Sequence, residues 1–133
     1  MRQLIAKLQD NKKKVYVKYI FWAYAILLLV VTLMPTDLIQ SQEESWFTNF
    51  SFKHGDKVIH FTLFFIFTVL LYFTTYFKKK IHLLGIPILL GICIELIQYL
   101  MGMGRTFDIL DIIANSLGVI LAYRLIVNNN NNN

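Results

Sequence analysis

Four long apolar runs alternate with short polar stretches, and that alternation governs the reading of the chain. The first run extends from about Val15 to Met34 and stops at Pro35, which cannot continue a helix. The second covers about 58–77 and ends sharply at Lys78, Lys79 and Lys80. The third covers about 82–101, with Pro87 inside it predicting a kink in its first half. The fourth covers about 107–127. At a helical rise of about 1.5 Å per residue, runs near 20 residues cross a hydrocarbon layer roughly 30 Å thick. The pattern predicts an all-α membrane protein, a bundle of four transmembrane helices forming one domain at about 15–127.

The connections are short, with one exception. Residues 1–14 form a basic segment in which Leu4, Ile5 and Leu8 suit a short interfacial helix. Residues 35–56 form the long connection. There Ser41 and Glu44 match a capping box, and Trp46, Phe47, Phe50 and Phe52 suit the headgroup layer. Gly102 to Arg105 read as a tight turn. The run of asparagines at 128–133 is low in complexity and is expected to be disordered. The first run is long for the core of a cleaved signal peptide, and no small-x-small site follows it, so it reads as a retained span.

Composition sharpens this picture. Of 133 residues 56% are hydrophobic, beyond what a soluble domain of this size carries. The net charge of +5 does not point to nucleic acid, because the positive residues flank apolar runs. Such residues set topology and attract anionic headgroups, so membrane lipids are the expected partners. With the N-terminus in the cytoplasm, inside segments hold Arg2, Lys7, Lys12, Lys13, Lys14, Lys18, Lys78, Lys79, Lys80 and Arg124, ten residues. Outside segments hold Lys53, Lys57 and Arg105, three residues. This bias predicts cytoplasmic N- and C-termini. The lone Cys93 has no intramolecular partner and reads as a packed thiol.

Against this frame the polar residues within spans stand out, since ionisable groups there are costly and face the bundle interior or a wet cavity. Asp108, Asp111 and Asn115 fall within roughly 60° of one another on a helix. Glu95 and Gln98 share a face of the third span with Gly91 and Gly102, where another helix can approach closely. Asp56, Lys57 and His60 open the second span. On the predicted topology all lie near the extracytoplasmic boundary, together with Arg105, in one layer.

Each residue has a structural reading beside a functional one. Asp108 suits a helix cap favoured by the dipole. Asp111 and Asn115 lie deeper, where pairing with Arg105 or Lys57 competes with a functional role. Gln98 suits an interhelical hydrogen bond. Glu95 needs a cation, a donor or a proton at its depth. His60 suits a general acid or base, a metal ligand, or an ion-pair partner for Glu95. Glu95, Asp111 and His60 are thus the candidate catalytic groups, and Arg105 could hold a phosphate or carboxylate through its planar fork. A metal reading needs His60 with Asp111 and Glu95. No close-spaced ligand motif supports it, so no metal and no cofactor is assigned. The signatures of rhomboid-type serine proteases, intramembrane aspartyl proteases and paired-histidine lipid phosphatases are absent.

The same residues carry a resemblance. Asp56-Lys57-Val58-Ile59-His60-Phe61, then Glu95-Leu96-Ile97-Gln98, then Gly104-Arg105-Thr106-Phe107-Asp108-Ile109-Leu110-Asp111 with Asn115 and Gly118, resemble in order and spacing three blocks of the VanZ-like family. The third block is the most specific. Phe64 stands where many relatives have Tyr, removing a hydroxyl from the site. Ala122 replaces a frequent second Gly, which suggests looser packing of the fourth helix. The family is named for a protein associated with resistance to the glycopeptide teicoplanin. The resemblance therefore implies a bacterial plasma-membrane protein acting near the cell envelope. It brings no reaction. Three functions stay open: binding or alteration of an envelope component such as a lipid-linked cell-wall precursor or an anionic headgroup, an intramembrane enzyme, and a small proton-coupled transporter subunit. The inner halves of the spans lack charged residues apart from Lys18 and, near the cytoplasmic end of the fourth, Arg124, which weighs against transport.

Overall fold

The computed structural model describes residues 2–34, 55–102 and 107–131. They form four helices: α1 (Arg2–Leu33), α2 (Gly55–Thr74), α3 (His82–Met101) and α4 (Ile109–Asn131). Each contains a stretch long and apolar enough to cross a membrane. The protein is an all-helical, four-span membrane bundle.

The boundaries repay comparison with the apolar pattern. α3 occupies the predicted range and runs on through Pro87. α1 is one continuous helix of 32 residues, so the basic segment joins the first span without a break. That length is about 48 Å, more than the hydrocarbon layer needs. α2 begins and ends three residues earlier than the apolar run, taking Asp56 and Lys57 into the helix. α4 continues into the asparagine run as far as Asn131, where disorder is expected from composition. The expected headgroup-level helix in 35–56, including its capping box and aromatic cluster, lies outside the described residues apart from the start of α2.

Local chemistry explains these ends. In an apolar span every polar group must be satisfied within the protein. Thr32, Thr62 and Thr68 return their hydroxyls to the carbonyls of Leu28, Val58 and Phe64, four residues back, at 2.8, 2.8 and 2.9 Å. α2 stops at Thr75, whose φ of 56° is left-handed. α3 stops at Gly102, also left-handed at φ 61°, where glycine carries no Cβ penalty.

The helices pack as a diamond. α2 touches all three others, α3 does the same, and α1 and α4 lie on opposite sides of that pair. The core holds Phe21 and Leu28 of α1, Phe64, Phe67 and Leu71 of α2, Leu83 and Ile94 of α3, and Val119 and Ile126 of α4. α2 and α4 form the most extensive pair. Gly118 makes this possible: a Cβ there would stand 2.2 Å from the Phe61 carbonyl oxygen. Ala122 is fully buried in the same helix, and it borders a cavity of about 220 Å³ between α2 and α4 that Val69, Tyr72, Phe73 and Ile126 also line. Large apolar side chains such as Leu89, Leu100, Leu117 and Leu125 point outward, where lipid is their solvent. Cys93 is among the outward residues and is exposed, not packed, because the inward positions of its turn belong to Ile94 and Glu95.

Candidate functional site

The chain direction alternates, so the C-terminal ends of α1 and α3 and the N-terminal ends of α2 and α4 meet at one end of the bundle. At that end the polar face of each helix turns inward. Glu95 is 1%, His60 6%, Asp111 8% and Asn115 1% exposed. They come from three helices, so the cluster exists only in the folded chain.

Lys57 is its organising cation. Its Nζ lies 2.9 Å from Asp56 Oδ2, 2.5 Å from Asp108 Oδ2 and 2.6 Å from Asp111 Oδ1. A lysine at a helix N-terminus opposes the dipole, and the three aspartates offset that penalty. Asp108 also caps α4: its Oδ1 accepts a hydrogen bond from the Leu110 backbone N–H at 2.8 Å, and its carbonyl accepts from Asp111 at 3.1 Å. The hydrogen bond from Lys57 holds the Asp108 carboxyl below its ordinary value of 3.8; partial burial opposes this and the Leu110 N–H supports it. The structural reading of Asp108 as a cap and of Asp111 as a partner of Lys57 is therefore observed.

Behind this shell lies His60. Its Nδ1 is 3.1 Å from Asn115 Oδ1, and its Nε2 is 4.0 Å from Asp111 Oδ2. If Nδ1 carries the proton, it donates to the Asn115 carbonyl and leaves the Nε2 lone pair facing the carboxylate. Asn115 rests against Gly91, where a Cβ would stand 3.2 Å from its Nδ2. Phe64 packs on the same spot, at 3.3 Å. Where a tyrosine would bring a hydroxyl, this chain offers only a ring edge.

Glu95 completes the inner layer. One ligand-capable atom each from His60, Glu95 and Asp111 lies within 4.8 Å of the others, and the same holds for the more exposed Asp56, Asp108 and Asp111. His60 is thus near Glu95, as expected, and it also meets Asn115 and Asp111. Gln98 takes a different part: its Nε2 donates to the Thr32 backbone carbonyl, tying α3 to α1. That is the expected interhelical bond. Thr32 itself was not singled out from the sequence, although a buried threonine near the end of an apolar span was the available signal. Arg105 lies outside the described residues.

A four-span membrane bundle with a buried, three-helix layer of His, Asp, Glu and Asn at one end defines a class: small polytopic membrane proteins with an intramembrane polar site. The family model described as VanZ/LLP1 matches residues 21–128, and the chain belongs to that family. No curated protein and no solved structure matches the chain.

Proposed function

We propose that this chain is a plasma-membrane protein of the bacterial envelope that binds the polar headgroup of a lipid-linked envelope component and thereby lowers susceptibility to glycopeptides such as teicoplanin. One observation carries the reading: three helices deliver buried ionisable side chains to one layer at one end of the bundle, at a cost that packing alone does not require. The ten-to-three distribution of basic residues supports an extracytoplasmic placement of that layer, where cell-wall precursors are exposed. The family's association with teicoplanin resistance supports the direction of the effect.

The test has two parts. Expression in a glycopeptide-susceptible strain should raise the inhibitory concentration of teicoplanin. A reporter active only in the cytoplasm should work when fused at residue 80 or at the C-terminus and fail at residue 45. An unchanged inhibitory concentration, or a cytoplasmic residue 45, contradicts the proposal.

A second reading, an intramembrane enzyme, draws on the His60 contacts. An imidazole held by Asn115 on one nitrogen and facing Asp111 with the other is arranged as a general acid–base group. Glu95 would then be the neighbouring acid. Turnover of an envelope lipid that stops in His60→Gln would favour this reading over simple binding.

A further inference from the structure

We propose that His60, Glu95 and Asp111 bind a divalent transition-metal ion, of the zinc or manganese type, between α2, α3 and α4. The inference deepens the reading of the polar layer as a binding site and rests on it.

Four observations support the ion. The first is geometry: one Nε2 or Nδ1 and two carboxylate oxygens lie within 4.8 Å of one another. Ligands at 2.0–2.2 Å from a tetrahedral zinc stand about 3.4 Å apart, so side-chain rotations bring these atoms into a ligand shell. The second is ligand chemistry. One imidazole with two carboxylates suits zinc, manganese or ferrous iron better than the all-oxygen shell of calcium. Three protein ligands leave a position open for an exchangeable group. The third is orientation. Asn115 Oδ1 faces His60 Nδ1 at 3.1 Å, the outer contact that fixes a metal-binding histidine with its Nε2 lone pair turned toward Asp111. The same amide is 1% exposed, and its Nδ2 meets no acceptor among the described residues, so it can serve a group held at the open position. The fourth is charge. Among the described residues Lys57 faces three carboxylates, Asp56, Asp108 and Asp111, and Glu95 adds a further carboxylate to the layer. An acidic layer repels a phosphate. A bound dication reverses that sign and lets a phosphorylated headgroup approach.

The experiment is metal binding by the whole chain in detergent micelles, after chelation and reloading with zinc or manganese alone. Wild type should take up stoichiometric zinc and gain thermal stability with it. Glu95→Gln and His60→Gln should lose that uptake, and Asn115→Ala should weaken it about 10–100-fold. Pulsed electron paramagnetic resonance of manganese bound to wild type should show modulation from a single imidazole nitrogen, a readout that stands even if a variant does not fold. Absence of stoichiometric uptake, or of the nitrogen signal, overturns the proposal. So does loss of binding in Asp56→Asn with retention in Glu95→Gln, which puts the ion in the exposed aspartate shell. Because the probe is the metal alone, this measurement and the teicoplanin measurement fail independently.

Discussion

The two ends of the bundle use charge in opposite ways. At the end where α1 begins and α2 finishes, charge is basic and exposed. Lys78, Lys79 and Lys80 are all on the surface, and Lys18 Nζ sits 5.0 Å from the centre of the Tyr76 ring. Aromatic groups bind this end together: Trp22 Nε1 donates to Tyr76 Oη at 3.0 Å, and the Phe21 and Phe67 rings lie 5.2 Å apart. At the other end charge is mostly acidic and inward, with Lys57 held among three aspartates and His60 between Asn115 and Asp111. Exposed cations act one by one on the headgroups and hold topology. Clustered ones depend on each other, so a change to one is felt by all. The contrast separates exposed charge that stands alone from clustered charge whose members face one another.

Substitutions can break or sharpen that contrast. The largest effect is expected for Gly118→Leu. Its side chain would enter the space of the Phe61 carbonyl, separating α2 from α4 and His60 from Asn115. Overpacking costs about 1–3 kcal/mol where the surroundings yield, and backbone yields poorly. Membrane abundance and thermal stability in detergent should collapse; a normal melting profile would show that the close approach is not required.

Lys57→Met comes next. It leaves three aspartates facing one another; with Asp56 and Asp108 open to solvent, the loss is expected below the about 3–5 kcal/mol of a buried pair and above the about 0–1 kcal/mol of a surface pair. At the opposite end Lys18→Met removes one cation–π contact worth about 0.5–1 kcal/mol. Thermal melts of the two variants should differ accordingly. Equal losses would erase the distinction between the ends.

Asp108→Asn should have the smallest effect, since asparagine still caps α4 and only the charge is lost. The Asp108 carboxyl titrates below 3.8 in the folded chain, so its pairing contributes stability above that value. The contribution fades as pH falls through the lowered value. A difference of about 0–1 kcal/mol between wild type and variant at neutral pH should therefore vanish in acid. A difference that grows in acid would contradict the sign.

How much of this was legible in the sequence depends on the kind of contact. The four spans were, because twenty apolar residues in a row admit few other folds. That His60, Glu95 and Asp111 share one layer of the bundle followed from counting helical rise, and their ligand-capable atoms do lie within 4.8 Å of one another. The early end of α2 was not, because it is set by the left-handed backbone of Thr75, which no apolar pattern announces. The pairing of Asn115 with His60 was also hidden. It needs α2 and α4 at their actual separation, which Gly118 permits but does not announce. Cys93 was misjudged because the outward and inward faces of a wholly apolar helix look alike until its neighbours are placed.

The central claim is that the inward-facing acids serve binding or chemistry and not packing, and Asp111→Asn tests it most directly. Asparagine keeps the volume and an accepting oxygen but removes the charge that Lys57 and His60 face. In a strain where the wild type raises the inhibitory concentration of teicoplanin, the variant should reach normal membrane abundance and lose that effect. Full protection by Asp111→Asn at normal abundance would contradict the account.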